Sequence, residues 1–305
     1  MNNSLCQFEL QTWVAPLGVR FWDAVSGRAI SDGLRVTSYP TGQVTPKVQA
    51  FTNRSGVYVW RNIPGLADFE HGASADQFLT HMPVPTRPFT VEVVDGLRRF
   101  QPFSFAVDVP CRGLFSWTCV EDASPPEPAN TMVPLFSAPT RAVASGLAVI
   151  RALLWDVTVD LPAAWAVLEA WIADRRIARG FADGQGQVAL IFPWPAPIDP
   201  AFDPSVSMQT TVSPPLSVPT RENRALGEQE WPVKLQARYT PLQPALSTPP
   251  IPDLCATLQQ APAQLWSDAA RTSPLPEVLL KFGAELVVRS PAAIPRSVVL
   301  LSPTV

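Results

Sequence analysis

The stretch that decides the fold is Asn53-Arg54-Ser55-Gly56-Val57-Tyr58-Val59-Trp60-Arg61-Asn62-Ile63-Pro64. Its first part is turn-like, because Gly56 can adopt the positive φ that a hairpin turn needs. The run Val57–Trp60 is β-branched and aromatic, which is the usual composition of a strand. Pro64 lacks a backbone donor and stops sheet pairing. The stretch therefore predicts a turn followed by a short strand.

The same pattern occurs again further along the chain. Asp183-Gly184-Gln185-Gly186 is followed by an alternating run, Gln187–Phe192, and then by Pro193. Upstream of each turn a predicted strand ends in Trp-Asp, as Trp22-Asp23 and as Trp155-Asp156. We interpret the chain as two copies of one β-sandwich, the second of which has diverged.

Other segments alternate polar and apolar residues, as a sheet with one buried face requires. They are Gln7–Val14, Gly18–Trp22, Leu34–Tyr39, Phe89–Val94, Phe103–Val109, Ala148–Trp155, Trp165–Ile172 and Trp231–Tyr239. Short strands at this spacing predict a mainly β fold with two small Ig-like sandwiches.

Proline-rich stretches suggest where the chain divides. Ser124-Pro125-Pro126-Glu127-Pro128 predicts a linker at 121–140, between a first sandwich at 1–120 and a second at 141–240. The second includes an extended arm at about 194–220. Residues 241–305 are interpreted as a mixed α/β region that packs on the second domain or on a partner.

Within that last region, Asp253 is a plausible N-cap for a short helix from Leu254 to Gln260. Leu265–Arg271 is interpreted as another turn of helix. Glu277–Arg289 fits a helix and a strand about equally, and Ser297–Leu301 is predicted to be a strand.

The composition favours a subunit of a larger assembly. Charged residues make up only 16% of the 305 residues, whereas an average globular protein has about 25%. A large surface with few charges implies that a partner covers part of it. The 35 prolines argue against long helices, because each removes a backbone donor and fixes φ.

Several classes of function are disfavoured. The net charge is −3, and Arg175, Arg176 and Arg179 are interpreted as solvated strand ends, so we expect no nucleic-acid binding. The longest apolar run, Ala142–Trp155, contains Arg151 and is too short to span a bilayer. The first residues lack the basic start and apolar core of a signal peptide, which predicts a cytoplasmic protein.

The four cysteines are Cys6, Cys111, Cys119 and Cys255. None has the spacing of a zinc site. Cys111 and Cys119 could be bridged across a hairpin. Without export, however, buried free thiols are the preferred interpretation.

No catalytic, metal or cofactor site is predicted. The two histidines, His71 and His81, lie in a polar stretch that is interpreted as a loop. The acidic pairs that are close in sequence are Asp156 with Asp160 and Asp199 with Asp203. They could act as acid and base, but turn formation explains them better. A nucleotide-binding glycine loop is absent from the sequence.

The ten tryptophans suit either a core or a binding surface. Most lie within alternating runs and are expected in the sandwich cores. Trp194, Trp231 and Trp266 lie near the arm and the C-terminal region, and they are the candidate interface residues. In the alternative interpretation, exposed tryptophans stack on sugars.

The repeated pattern resembles the transthyretin-like or carboxypeptidase-regulatory-like β-sandwich, which has an Asp-centred turn and a D-x-x-G-x-[YF] hairpin. The matching residues are Asp23, Gly27, Asn53, Gly56 and Tyr58 in the first copy, and Asp156, Asp183 and Gly186 in the second. Val188 replaces the aromatic residue in the second copy, which also lacks the first-turn glycine. The resemblance covers about half of the chain and implies an accessory scaffold.

The whole layout is similar to accessory proteins of contractile injection systems, which are phage-tail-like particles assembled in the cytoplasm. The shared features are paired sandwiches, a proline-rich middle and a C-terminal part containing Pro252–Cys255 and Leu265–Asp268. This similarity implies a non-enzymatic subunit of the baseplate or another specialised ring. Its partners would be tube, sheath, spike or baseplate proteins, or further copies of itself.

Two alternatives stay open. The sandwiches could form a glycan- or surface-binding module, or they could be the accessory part of a hydrolase. The few residues left outside two sandwiches and the scarcity of histidine disfavour the hydrolase.

Overall fold

The structure is a computed structural model, and it describes residues 14–43, 46–66, 69–70, 85–119, 132–196, 226–241, 251–293 and 296–304. The fold is mainly β, as the sequence predicts. The chain divides into two compact units, Met1–Phe136 with Ser247–Gln259 and Ser137–Leu246 with Gln260–Val305. Residues 251–259, which we expected beside the second sandwich or a partner, thus belong to the first unit.

The described part of the first unit contains ten strands and a short helix at Leu254–Leu258. The strands are β1 (Gly18–Val19), β2 (Phe21–Asp23), β3 (Ala29–Ile30), β4 (Leu34–Pro40), β5 (Val48–Gln49), β6 (Phe51–Thr52), β7 (Tyr58–Val59), β8 (Arg87–Asp95), β9 (Phe103–Val109) and β10 (Val133–Leu135). They form a sheet in the order β5-β4-β8-β9 and two smaller sheets, β1-β7-β6 and β10-β2-β3. Period-two burial along β8 places Phe89, Val91 and Val93 in the core, which is the reason that alternation predicts strands well here.

The short helix α1 (Leu254–Leu258) begins where the sequence predicts. The Asp253 side chain accepts a hydrogen bond from the Ala256 N–H at 2.8 Å, which satisfies a free donor at the helix start. Pro252 accepts a bond from the Ser104 N–H at 2.8 Å, so the helix is tied to β9.

A disulfide joins Cys119 to Cys255, 136 residues apart in the chain. The interpretation of these two cysteines as buried free thiols is therefore wrong. Cys111 has no disulfide partner, and burial raises the pKa of its thiol. Cys6 lies outside the described residues.

The second unit contains the longer strands. They are β11 (Leu147–Asp156), β12 (Leu161–Pro162), β13 (Val167–Ile172), β14 (Arg175–Phe181), β15 (Gln187–Pro193), β16 (Glu230–Arg238), β17 (Pro262–Trp266), β18 (Val278–Lys281), β19 (Leu286–Val288) and β20 (Val299–Pro303). The main order is β12-β11-β20-β17-β16-β13-β14, and β15, β19 and β18 pair with β11, β11 and β16 respectively.

The C-terminal part of this unit differs from its prediction. Leu265 lies in β17, so the expected turn of helix at Leu265–Arg271 is wrong. The ambiguous segment Glu277–Arg289 contains two strands, β18 and β19. β17 is a strand because it pairs with β16 on one side and with β20 on the other, and neither partner is close to it in sequence.

The repeated turns have the same hydrogen bonds in both units. The Asn53 side chain accepts bonds from the Ser55 and Val57 N–H groups at 2.9 and 3.0 Å. The Asp183 side chain does the same with Gln185 and Gln187, at 2.8 and 2.9 Å. Gly56 and Gly186 follow at φ +72° and +77°. These are the positive angles that the sequence pattern predicts.

The pairing around these turns also matches. Gly18 and Val19 pair with Val59 and Tyr58, as Arg151 and Ala152 pair with Ala189 and Val188. Each Trp-Asp strand end lies beside a parallel strand, β10 for Phe21–Asp23 and β20 for Leu154–Asp156. Gly27 lies in the turn after Trp22-Asp23, and the second copy lacks a glycine at this place. Asp160 takes the corresponding position, with a φ of 54° that is close to the 68° of Gly27.

The two-residue hairpin between β13 and β14 gives a stability prediction. Ala173 and Asp174 connect the paired residues Ile172 and Arg175, and both have positive φ, at 47° and 61°. This geometry suits glycine or asparagine, and a left-handed alanine costs about 1–2 kcal/mol. Glycine removes this strain, but it loses more conformational entropy on folding than alanine does. We therefore expect Ala173→Gly to raise the free energy of unfolding by a net amount of about 0.5–1 kcal/mol.

Thermal unfolding followed by circular dichroism measures this change. The control is Ala142→Gly, at an exposed position with negative φ, where glycine only increases the entropy of the unfolded chain. Equal effects of the two glycines on the melting temperature would contradict the prediction.

Some predicted segments lie outside the described residues. They are residues 121–131 of the linker predicted at 121–140, most of the arm (197–220), residues 7–13 of the predicted strand Gln7–Val14 with Trp13, and both histidines, His71 and His81. The described part of the predicted linker contains β10, which pairs with β2 in the first unit, so the first unit extends beyond residue 120. Among the helices that are described, none has the length and apolar character to cross a membrane.

Candidate interaction site

A groove opens on the surface of the second unit, with a volume of about 400 Å³. One wall comes from the β13–β14 hairpin and consists of Ile172, Arg175, Arg176 and Ile177. The other wall follows the end of β15 and consists of Pro193, Trp194, Pro195 and Ala196, with Trp231 beside them. The groove therefore contains two of the three predicted interface residues.

The local backbone explains why the groove is there. At its far end β14 approaches β15 closely, since a Cβ on Gly180 would lie 3.0 Å from Leu190. Near the hairpin, Ala170 pairs with Ala178 and Trp171 with Arg176, so Ile177 is an extra, bulged residue. A bulge bends its strand, and on this side the groove lies between β14 and the segment Pro193–Ala196.

Aromatic rings support the second wall. The Trp194 ring centroid lies 4.9 Å from that of Phe282 and 5.7 Å from that of Trp231. Trp231 is only 2% exposed, and its Nε1–H donates to the Ala196 carbonyl at 3.1 Å. Trp231 thus holds the wall from within the core, in contrast to the surface anchor that we expected, while half-buried Trp194 borders the opening.

The cationic side of the groove depends on one buried carboxylate. Glu169 on β13 is 2% exposed and lies 3.2 Å from both Arg176 and Arg179. The Arg179 side chain is 8% exposed, so its interpretation as a solvated strand end is wrong. Arg175 is exposed and forms no ion pair within the part of the chain that the structure describes. It is the cation that is free to meet a ligand.

Trp266, the third predicted residue, lies elsewhere in the second unit. Its Nε1–H donates to the Ser302 hydroxyl at 3.0 Å. It packs with Trp155, Val298 and Leu300 in a small cluster separate from the main core. Val298 and Leu300 are buried, whereas Trp266 is half-buried and keeps some surface for contact.

A charged cap covers Trp155. The Arg296 guanidinium lies 4.6 Å from the centre of its ring and 2.6 Å from the Asp160 carboxylate. The Trp155 Nε1–H donates to the same carboxylate at 2.8 Å. The hydrogen bonds from Arg296 and then from Trp155 lower the pKa of exposed Asp160.

Large apolar side chains lie exposed near this cluster and on the β18–β19 segment. Val159 and Leu161 flank Asp160, and Leu279 and Val287 lie on β18 and β19, with Val287 60% exposed. No segment corresponding to β18 and β19 is seen among the described strands of the first unit. Exposed apolar side chains of this kind are ones that partners can cover.

Of the acidic residues weighed for catalysis, the two that the structure describes differ in burial. Asp156 is buried, and its carboxylate accepts a bond from the Thr158 N–H at 2.7 Å, as a turn residue does. Asp160 is exposed, and Asp199 and Asp203 lie outside the described residues. Within the described ranges, no three His, Cys, Asp or Glu side chains come together as a metal-binding group.

The three tyrosines give a pH prediction. Burial, together with a hydrogen bond to Glu92, raises the pKa of Tyr39 to about 12. Burial and then the nearby Asp156 raise the pKa of Tyr239 to about 12. Burial also raises the pKa of Tyr58. The folded chain thus holds these protons more tightly than the unfolded chain.

Because the folded-state pKa values exceed the unfolded value of about 10, this contribution to stability is complete below pH 10. It is lost as the pH rises toward 12. Absorbance at 295 nm should show little tyrosinate in the native protein at pH 10.5, and a rise when urea unfolds it at that pH. A native titration centred near pH 10 for all three groups would refute this expectation.

No protein-family model matches the chain, and no curated protein matches it. Among solved structures, the chain is similar to the Bacillus anthracis TIE protein at 7% identity and a TM-score of 0.22, covering 96% of this chain and 35% of that one. It is also similar to a variant of the shaft pilin SpaA of Lactobacillus rhamnosus GG, at 7% identity and a TM-score of 0.22, covering 95% and 98% of the two chains. The chain thus spans about a third of the TIE protein. Similarities at this level carry no argument about fold or function.

Proposed function

We propose that the protein is a non-enzymatic structural subunit that acts through protein–protein contacts. The specific assembly that we propose is a phage-tail-like contractile injection particle, at its baseplate or another specialised ring. The observation that carries the general proposal is the surface of the second unit, where the groove beside Trp194 and exposed Leu279 and Val287 accompany a chain of low charge.

The repeated sandwich supports a scaffold role. Each unit keeps its Asx-type turns and its parallel strand pair, while the second unit adds β18 and β19. Binding residues in such folds commonly lie on loops and additions that a rigid framework positions. The additions in this chain carry apolar side chains, which suit contacts with proteins.

The test is assembly in the native host. A tagged full-length chain should sediment with particles that contain sheath and tube proteins, as identified by mass spectrometry. A chain that stays monomeric in the supernatant while intact particles sediment would overturn the proposal of a particle subunit.

A second candidate function is a surface-binding module on an exported protein, and the Cys119–Cys255 disulfide favours it. Structural disulfides persist in oxidising compartments and are rare in the cytoplasm. Thiol counting on protein from the native host separates the two candidates, since the cytoplasmic particle predicts four free thiols. A bonded pair would favour the surface module.

A further inference from the structure

We propose that the groove beside Trp194 binds an extended polypeptide segment that carries a carboxylate next to an apolar side chain. The carboxylate faces Arg175, and the apolar side chain packs between Trp194 and the β13–β14 wall. This inference rests on the proposed function and names the class of partner for it.

Charge and shape select this ligand. Arg175 is exposed and without an ion pair among the described residues, whereas Arg176 is already held by Glu169. Hydrogen bonds from arginine to a carboxylate are among the stronger polar contacts. The remaining wall consists of isoleucine, proline, alanine and tryptophan side chains. A volume of about 400 Å³ suits a few side chains of a bound segment.

The backbone of β14 favours a peptide. Within the described part of the chain, β14 pairs with β13 alone. An edge strand leaves alternate N–H and C=O groups unpaired, and an extended peptide can pair with such groups. The bulge at Ile177 limits pairing with an arbitrary strand, and the exposed charge of Arg175 favours an acidic segment.

The same lining disfavours a sugar. Recognition of several hydroxyl groups needs donors and acceptors at fixed positions, as aspartate, asparagine, glutamate and glutamine provide. None of these side chains lines the groove. Two arginines can donate but cannot accept, which suits a carboxylate and leaves hydroxyl donors unsatisfied.

An array of synthetic decapeptides tests the proposal with the full-length chain. Each peptide carries aspartate or asparagine at alternating positions, combined with leucine or serine at the others. The labelled protein should be retained on the Asp–Leu peptides about fivefold more strongly than on Asn–Leu or Asp–Ser peptides, because both contacts are needed. Retention on Asp–Leu peptides should fall in 0.5 M NaCl.

The matched variants are Arg175→Gln and, as control, Arg289→Gln at another exposed position of the same unit. Arg175→Gln should lower retention on Asp–Leu peptides about tenfold, and Arg289→Gln should leave it unchanged. An equal loss of retention in both variants would overturn the proposal, and so would equal retention on Asp–Leu and Asn–Leu peptides. So would an array without signal, or binding of the chain to polygalacturonate alone.

This outcome is separable from that of the proposed function. If the chain sediments with particles but binds none of the peptides, the structural role is supported and the groove is not its docking site. If the chain binds Asp–Leu peptides through Arg175 but never sediments with particles, the peptide site is supported and the proposal of a particle subunit is wrong.

Discussion

Replacing Gly186 with alanine is expected to cost the second unit about 2–5 kcal/mol of its free energy of unfolding. The residue has φ +77°, where an alanine costs about 1–2 kcal/mol. A Cβ at this position would also overlap the Leu154 carbonyl oxygen of β11, and displacing packed backbone costs about 1–3 kcal/mol more. Urea unfolding followed by tryptophan fluorescence measures the loss.

The repeat supplies a matched control for this change. Gly56 has the corresponding position in the first unit and a φ of +72°, but its Cβ would meet only the Ser31 side chain, at 3.3 Å. Gly56→Ala should therefore cost only the backbone term of about 1–2 kcal/mol. Similar costs at the two glycines would show that the overlap with Leu154 is relieved without loss.

Alternation predicted most strands because one face of each is buried against its own unit. In β8 the buried residues are Phe89, Val91 and Val93, and the residues between them are more exposed. The turns were also predictable, since the side chain of Asn53 or Asp183 bonds to N–H groups two and four residues later. Such interactions join residues that are at most four positions apart, so a short stretch of sequence is enough to predict them.

Features that depend on distant partners were not predictable in this way. β17 is a strand because β16 and β20 flank it, and a stretch of five residues is too short to show a period that excludes a helix. The Cys119–Cys255 disulfide joins residues 136 positions apart, without any spacing signal. Which cysteines pair depends on how the chain folds between Cys119 and Cys255.

The groove was predictable only in part. Trp194 and Trp231 attracted attention as tryptophans near the proposed arm, but the sequence did not distinguish the half-buried ring from the buried one. Arg175 and Arg176 were interpreted only as solvated charges. Their place beside Trp194 follows from the bulge at Ile177 and from the approach of β14 to β15, and both are tertiary features.

The Glu169 ion pairs give the other prediction with a large effect. Glu169→Ala removes the carboxylate that lies 3.2 Å from Arg179, whose side chain is 8% exposed. Removing one member of a buried pair costs about 3–5 kcal/mol, because the remaining charge stays desolvated. In a unit of this size we expect the melting temperature to fall by about 10 °C, as seen by circular dichroism.

The control is Glu230→Ala, which removes a pair with Lys281 of similar length, 2.9 Å, but with side chains 39% and 65% exposed. Solvent already screens that pair, so the change should cost less than about 1 kcal/mol. The double variant Glu169→Met with Arg179→Met should recover most of the lost stability, because apolar side chains can replace the two buried members of the ion pair. Arg176, the other partner of Glu169, has a side chain that is 30% exposed and keeps its contact with solvent. If the double variant is as unstable as Glu169→Ala, the loss arises from packing around β13, and the uncompensated arginine is not its cause.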